Sequence, residues 1–509
     1  MKYFLGLDNG GTTTKAALYD RNGQELGVAC ADTEILTPHP GFYERDMEEM
    51  WRTNCRVIRK ILDETGVFPG DIKGIAVCGH GKGLYLWGKD NRPLRSGILS
   101  TDNRAWKYPQ KWHASGVEKN VFLKTYQQII PCQAVSLLAW LQEHEPETIA
   151  GIKWIFECKD YIRFRLTGKA MGERTDYSGA NLLNLNTKEY DRELMTLFGL
   201  KDLYDALPPL CNATDLCGSI IAEAAEETGL APGTPVAGGM FDIDACAVAV
   251  GAFQEDRLCM IAGTWSINEY VRRDPVLDGT VSLHSIFCNP DYFLIEESSA
   301  TSAGNHEWII NNLLPELKAL HKGTLYQVID DMIDQIDTDE FCPVFTPFLM
   351  GSNVHQNAKA SFVGISSFHR RAHLLRAVYE GIVFSHRTHF ERLMKTRTAP
   401  FACIRLAGGA AKSAVWAQMF ADVMGIPVET ADIGETGALG SAITAAVACG
   451  VYKSYEEAAG RMVRLGDRFI PNENNFQRYQ EKYRLYQAVN RSLDPVWDQM
   501  QEMIDRKHR

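Results

Sequence analysis

The first thirty-odd residues alternate between apolar runs and short polar breaks. "KYFLGLD" is an apolar strand, "NGGTTT" a turn, "KAALYD" a second strand, "DRNGQ" another turn, and "ELGVACAD", Glu25 to Asp32, a third strand. Asp46 then opens a helix with Glu49 three residues on, a capping-box spacing, and Gly66 closes it. "GIAVC" (Gly74 to Cys78) and "LYLW" (Leu84 to Trp87) are further strands. The opening pattern returns once, in "DRLCMIAGTWSINEYVRRD" from Asp256 to Asp274: an apolar strand, a Gly-Thr turn, a second strand. A single echo of this kind predicts two related α/β halves rather than a repeat array. Downstream, "IRLAGGAAKSAVWAQMFADVMG" reads as strand, glycine turn, then a helix from near Lys412 or Ser413. The uncharged run Thr436 to Tyr452 is too short and too rich in Ala and Gly for a membrane span, and predicts a tightly packed internal helix.

Composition narrows the class. At 509 residues, 45% hydrophobic and 23% charged, the chain has the make-up of a globular protein of two or three domains. A net charge of −11 argues against a nucleic-acid binder but not against one bound nucleotide. Thirteen dispersed cysteines with no CxxC pair point to reduced thiols and a cytoplasmic setting, and "MKYFLGLD" does not read as a signal peptide.

Three glycine turns carry candidate chemistry. In "DNGGTTTK" the glycines allow close backbone approach, successive N–H groups can cradle phosphate oxygens, and Asp8 can hold Mg²⁺ through water. A plain hairpin turn explains this segment equally well. The second turn, "AGTWS", supports the phosphate reading, because two such turns could grip one polyphosphate. A helix start behind Gly408-Gly409 is a natural nucleotide contact, although a tight strand-to-helix connection would look the same.

"DNGGTTTK", the Gly-Thr turn, "GGAAKS", "RAVYEGIVF" and "GETGALGSA" occur in the order seen in the FGGY carbohydrate kinases, and the chain resembles that family over nearly its whole length. The resemblance implies two actin-like (ribonuclease-H-like) domains facing a central cleft, residues 1–245 and 246–509, with ATP, Mg²⁺ and a small sugar as ligands. Gly10, Gly11, Thr12, Thr13 and Lys15 would lie by the phosphates and Asp8 by Mg²⁺. Gly263 and Thr264 would form the second phosphate turn, and Gly408, Gly409 and Lys412 would follow the adenosine. The sugar would meet "GHGKG" and "TDNR", with His80, Lys82, Asp102 and Arg104 as readers. It further implies a sugar kinase acting on a ketopentose, L-xylulose being favoured by "PGFYERDMEEMW", "GKGLYL" and "ILSTDNRA". Another pentulose, a polyol such as erythritol, or a non-catalytic sugar sensor are the alternatives. Neither a nucleic acid nor a membrane is expected as a partner, and a homodimer is left open.

Departures from the family pattern sharpen the substrate expectation. Lys82 takes the place of the histidine of D-xylulose kinases, His80 stands where glutamine is usual, and Leu137 where many members have lysine. Phosphoryl transfer to a hydroxyl needs a nearby base. "GGMFDIDACAVAVG" offers Asp242 and Asp244, which would point about 200° apart on a helix. Asp242 is expected as the base. Asp244 is expected to stabilise the helix start or contact the other domain. "HRRAH" (His369 to His373), together with His386 and His389, reads as solvated helix face rather than metal site. Trp106, Trp140 and Trp154 read as core residues, and Cys246 as an inert buried thiol.

Overall fold

The computed structural model describes residues 2–318 and 322–507. The polypeptide forms two compact units. The first comprises Met1–Phe253, Val271–Ile295 and Ile433–Arg464; the second comprises Gln254–Tyr270, Glu296–Asp432 and Leu465–Arg509. The expected domains, residues 1–245 and 246–509, divide the chain once, whereas the compact units interleave and the chain re-enters the first unit twice.

The first unit is built on a sheet in the order Leu216–Ser219, Pro235–Ala237, Ile72–Gly79, Tyr3–Asn9, Thr13–Asp20, Glu25–Asp32, with Met240–Phe241 also pairing Ile72–Gly79. Tyr3–Asn9 runs antiparallel to Thr13–Asp20, with Asp8 opposite Lys15, and parallel to Ile72–Gly79, with Asp8 beside Cys78. Thr13 and Thr14 already belong to the second strand, so the turn itself is Gly10 to Thr12. The second unit repeats the scheme. Arg257–Ala262 pairs antiparallel with Ser266–Arg272 and parallel with Cys403–Gly408, and Val428–Ala431 and Leu465–Phe469 follow.

One face of the first sheet packs on the helix Met47–Thr65, whose Met50, Trp51, Val57, Ile58 and Ile61 join Leu5, Leu7 and Leu18 in one apolar core. Asp46 caps that helix, its Oδ1 accepting from Glu49 N at 2.7 Å. The reciprocal half of the capping box is missing, because Glu49 pairs instead with Arg52 and Arg56. Gly66 closes the helix at φ 64°. The helix Thr436–Ala448 packs against both the first strand and the helix Asp242–Ala249. A Cβ on Gly6 would fall 1.8 Å from Ala438 O, and one on Gly440 2.0 Å from Ala245 O. The approach is closer than any side chain permits, which is why this segment is written in Ala and Gly. Overpacking at either glycine costs at least about 1–3 kcal/mol.

Several side chains sit differently from the sequence expectation. His386 and His389 are buried, not solvated. His386 bridges Asn268 Oδ1 at 2.8 Å and Ser302 Oγ at 2.9 Å, and His389 pairs with Glu297 at 2.9 Å. His373 is buried against Glu340, while His369 precedes the helix Arg371–Lys395 rather than sharing a face with it. Trp106 is 45% exposed. Cys246 is half-buried with its Sγ 3.3 Å from Thr436 Oγ1.

Candidate active site

The parallel register aligns the strand ends of the first unit. Cys78 lies beside Asp8 on one side and Met240 on the other, and Gly79 lies beside Asn9 and Phe241. Two carboxylates thus emerge at C-terminal strand ends on either side of Ile72–Gly79: Asp8 from the first strand and Asp242 immediately after the strand Met240–Phe241. Phe241 takes the capping position, so Asp242 is the first residue of the helix Asp242–Ala249 rather than its cap.

Burial raises the Asp242 carboxyl well above the usual range. The negative charges of Asp8 and Asp176 push the same way, while Lys82 opposes them. Asp8 is also raised by burial, against the pull of Lys15. The arrangement is two partly buried acids repelling each other, and such a pair is relieved by protonation or by a cation. Mg²⁺ characteristically uses one or two carboxylates plus substrate phosphates and water. Asp8, with substrate phosphates and water, fits that donor set. Among the described residues no cluster of three or more His, Cys, Asp or Glu forms a metal cage.

Asp244 behaves otherwise. It is fully buried, and its Oδ1 accepts from the backbone N–H of Cys288 at 2.8 Å. That hydrogen bond lies within the first unit, where it fastens the segment Val271–Ile295.

Lys15, expected by the phosphates, pairs with Glu435 at 2.5 Å just before the helix Thr436–Ala448. The Asp8 carboxyl rests on the first turn of that helix, where a Cβ on Gly437 would lie 2.6 Å from Asp8 Oδ2. Gly11 faces open space, since an added Cβ would meet nothing within 4 Å; Gly10 would meet only Thr13 O at 3.2 Å. Thr12 is exposed.

The sugar-reading residues form a tight set. His80 is buried against the Tyr85 hydroxyl at 2.8 Å, and burial pushes its ring down to about 4, so it is neutral at pH 7. Lys82 is held at φ 64°, a left-handed conformation, with its Nζ 5.5 Å from the centre of the Phe241 ring. Asp102 and Arg104 engage each other. Asp102 accepts from Tyr43 N at 2.7 Å and from Arg104 N, Nε and Nη2 at 2.9, 3.0 and 2.8 Å. A carboxylate has about four acceptor sites, so Asp102 is filled rather than open to two sugar hydroxyls. Arg104 also holds Glu44 and lies over Phe42 and Trp140.

In the second unit the two glycine turns adjoin. Gly408 has φ 87°, and a Cβ there would sit 2.6 Å from Ala262 O and 3.0 Å from Gly263 N. Gly263 itself is open, its nearest neighbour being Ile261 Cγ2 at 3.9 Å; Thr264 and Lys412 are exposed. Gly409–Lys412 is a single 3₁₀ turn, after which Ser413 caps the helix Ala414–Met424 through Trp416 N at 3.0 Å. Ser413 also donates to Asp330 Oδ1 at 2.6 Å. Asp330, Glu435 and Asp176 escaped the sequence reading. Only the position of Glu435 just ahead of the "TGALG" run could have drawn attention to it.

Residues 3–249 match the FGGY family of carbohydrate kinases, N-terminal domain, and residues 258–449 its C-terminal domain. This chain belongs to the FGGY carbohydrate kinases. It is 38% identical over 494 residues to the L-xylulose/3-keto-L-gulonate kinase of Escherichia coli (strain K12), covering 97% of each chain. It is 37% identical to a protein of Pasteurella multocida (strain Pm70) named "Probable L-xylulose kinase", covering 97% of this chain and 99% of that one. The ligand-bound xylulose kinase of Lactobacillus acidophilus superposes with a TM-score of 0.88 at 24% identity, over 98% of this chain and all of its own. The architecture is the actin-like fold of that family, and the protein is a sugar phosphotransferase that uses ATP.

Proposed function

We propose that this enzyme transfers the γ-phosphoryl group of ATP to the terminal 5-hydroxyl of L-xylulose, giving L-xylulose 5-phosphate. Asp242 takes the hydroxyl proton as the O5–P bond forms and the bond from phosphorus to the β–γ bridging oxygen breaks, its electron pair leaving with ADP. The observation that carries this reading is the raised carboxyl of Asp242 at a helix start, facing a second acid. A base whose pKa lies above the ordinary carboxylate range accepts a proton more readily at neutral pH.

Asp8 would hold Mg²⁺, which supplies positive charge to the transferring phosphoryl group. Gly10, Gly11, Thr12 and Thr13 would offer backbone N–H groups and hydroxyls to the phosphates in the first unit. Gly263 and Thr264 would do the same in the second, with Gly408, Gly409 and Lys412 along the adenosine. Lys15 would meet a phosphate oxygen only by leaving Glu435.

The substrate reading rests on kinship with proteins named for L-xylulose and on Lys82. Its ammonium, next to Asp242 electrostatically, suits a carbonyl or an anionic substituent better than a plain hydroxyl. That feature favours a second acceptor class, the keto-sugar acids named for the Escherichia coli relative, over a polyol such as erythritol. The filled Asp102–Arg104 pair reads sugar hydroxyls indirectly, by fixing Tyr43, Glu44 and Phe42. A coupled ADP-release assay against both xylulose enantiomers, ribulose, erythritol and 3-keto-L-gulonate tests the assignment. L-xylulose is expected to give the highest kcat/KM among the ketopentoses. A tenfold preference for D-xylulose or erythritol, about 1.4 kcal/mol in transition-state binding, sinks it.

A further inference from the structure

Behind Asp242 the first unit buries a group of charges that phosphoryl transfer does not itself require. Lys159, Asp160 and Arg163 lie on the helix Cys158–Thr167, and Glu173 and Asp176 lie at the start of the next short helix, all of them at most 1% exposed. Lys159 pairs with Asp160 at 3.1 Å, with Glu173 at 3.3 Å, and with Asp176 more closely still. Asp160 holds Arg163 at 2.6 Å. So many ions sealed from water are costly unless they are mutually paired and fix something in place.

What they fix is the backbone that delivers Asp242. Arg163 Nη1 donates to the carbonyl of Gly238, and the N–H of Phe241 donates to Thr175 Oγ1 at 2.9 Å. Thr175 Oγ1 in turn donates to Glu173 Oε2 at 2.6 Å, and Glu173 is one of the carboxylates on Lys159. Between the two pins, Gly239 has φ 77°, and a Cβ there would lie 2.0 Å from Val77 O. The segment Gly238 to Phe241 is therefore clamped at both ends by one ionic group, and the next residue is Asp242.

We propose that Thr175, with the buried Lys159–Glu173–Asp176 group behind it, is a positioning device that sets where the Asp242 carboxylate points. The proposal rests on Asp242 being the base. It goes beyond that reading in assigning a role to residues that touch neither the sugar nor ATP.

The test uses the full-length enzyme, L-xylulose and ATP. Thr175→Val keeps the shape but loses the hydroxyl. It should lower kcat roughly 30–100-fold, as a small misplacement of a reacting group does, with KM for both substrates within about threefold. Thr175→Ser should restore kcat to within about threefold of wild type. Asp242→Asn is measured beside them. If Asp242→Asn is inactive while Thr175→Val keeps wild-type kcat, the positioning proposal is overturned and the base assignment stands. If Asp242→Asn keeps wild-type kcat, both fall. Should Thr175→Val not fold, Thr175→Ala, which also lacks the hydroxyl, decides the matter in the same way beside Thr175→Ser.

Discussion

Gly437 offers the sharpest probe of the first unit's carboxylates. It lies in the first turn of the helix Thr436–Ala448, and an added Cβ would stand 2.6 Å from Asp8 Oδ2, 2.8 Å from Asp8 Cγ and 3.2 Å from Cys78 Sγ. Non-bonded heavy atoms settle at about 3.5–4.0 Å, so Gly437→Ala must drive the Asp8 carboxyl away by about 1 Å. Retreat of the helix would open its close contacts at Gly6 and at Gly440, so the flexible Asp8 carboxyl is the part that gives. Displacement by 1 Å costs about 10²-fold in rate when the displaced group is part of the reacting assembly. Stability moves far less, since overpacking of about 1–3 kcal/mol is offset by nearly 1 kcal/mol from replacing a helical glycine with alanine. The variant should therefore keep a cooperative thermal transition near that of wild type. Its kcat/KM for ATP should fall about 10²-fold, with a raised Mg²⁺ requirement. Steady-state kinetics at saturating sugar, titrating Mg²⁺ and ATP separately, reads this out. Wild-type Mg²⁺ dependence and kcat in a folded Gly437→Ala enzyme would refute the assignment of Asp8 to the metal.

Three further expectations follow from the same geometry. Asp242→Asn should cut kcat about 10²–10⁴-fold while raising the melting temperature, because it removes a buried charge that Asp8 and Asp176 oppose; equal or lower stability would contradict that electrostatic picture. In wild type the folded-state pKa of Asp242 lies above its unfolded value. Its contribution to stability is therefore favourable at acid pH and declines as pH rises through the interval between the two, while kcat/KM climbs over the upper part of that interval; denaturation and kinetics across pH 4–8 test both signs. Gly11→Val and Gly263→Val should each weaken ATP binding while leaving the melting temperature nearly unchanged, since both Cβ positions are open; isothermal titration with unaltered nucleotide affinity in both would remove the cradle reading.

How much of this was legible beforehand varies with how local the cause is. The strand-turn-strand at residues 3–20, its echo at 257–272 and the glycine-rich helix at 436–448 are set by short-range pattern, and all three stand in the structure. Asp242 was singled out because an acid in an otherwise small, apolar stretch needs a reason to be there. Lys159, Asp160 and Arg163 were passed over because "KDYIRFR" resembles an ordinary charged helix face; only burial from surrounding elements turns it into an ionic core. His386 and His389 were misjudged for the same reason, their partners Asn268, Ser302 and Glu297 being distant in sequence. The mutual saturation of Asp102 and Arg104 needed coordinates to see, since "DNR" spacing alone does not show that the guanidinium folds back.

The interleaved chain path also governs when the first unit can be finished during synthesis. Its early strands leave the ribosome first, yet the helix that covers Gly6 comes from residues 436–448, and the Lys15–Glu435 pair spans 420 positions. At about 5–20 residues per second, the roughly 180 residues between Phe253 and Ile433 take about 10 to 40 s to translate. Throughout that interval one apolar side of the nascent sheet is bare. For an enzyme of this topology, completion of the acid-bearing half awaits the last fifth of the message, and the waiting surface is the kind that chaperones hold.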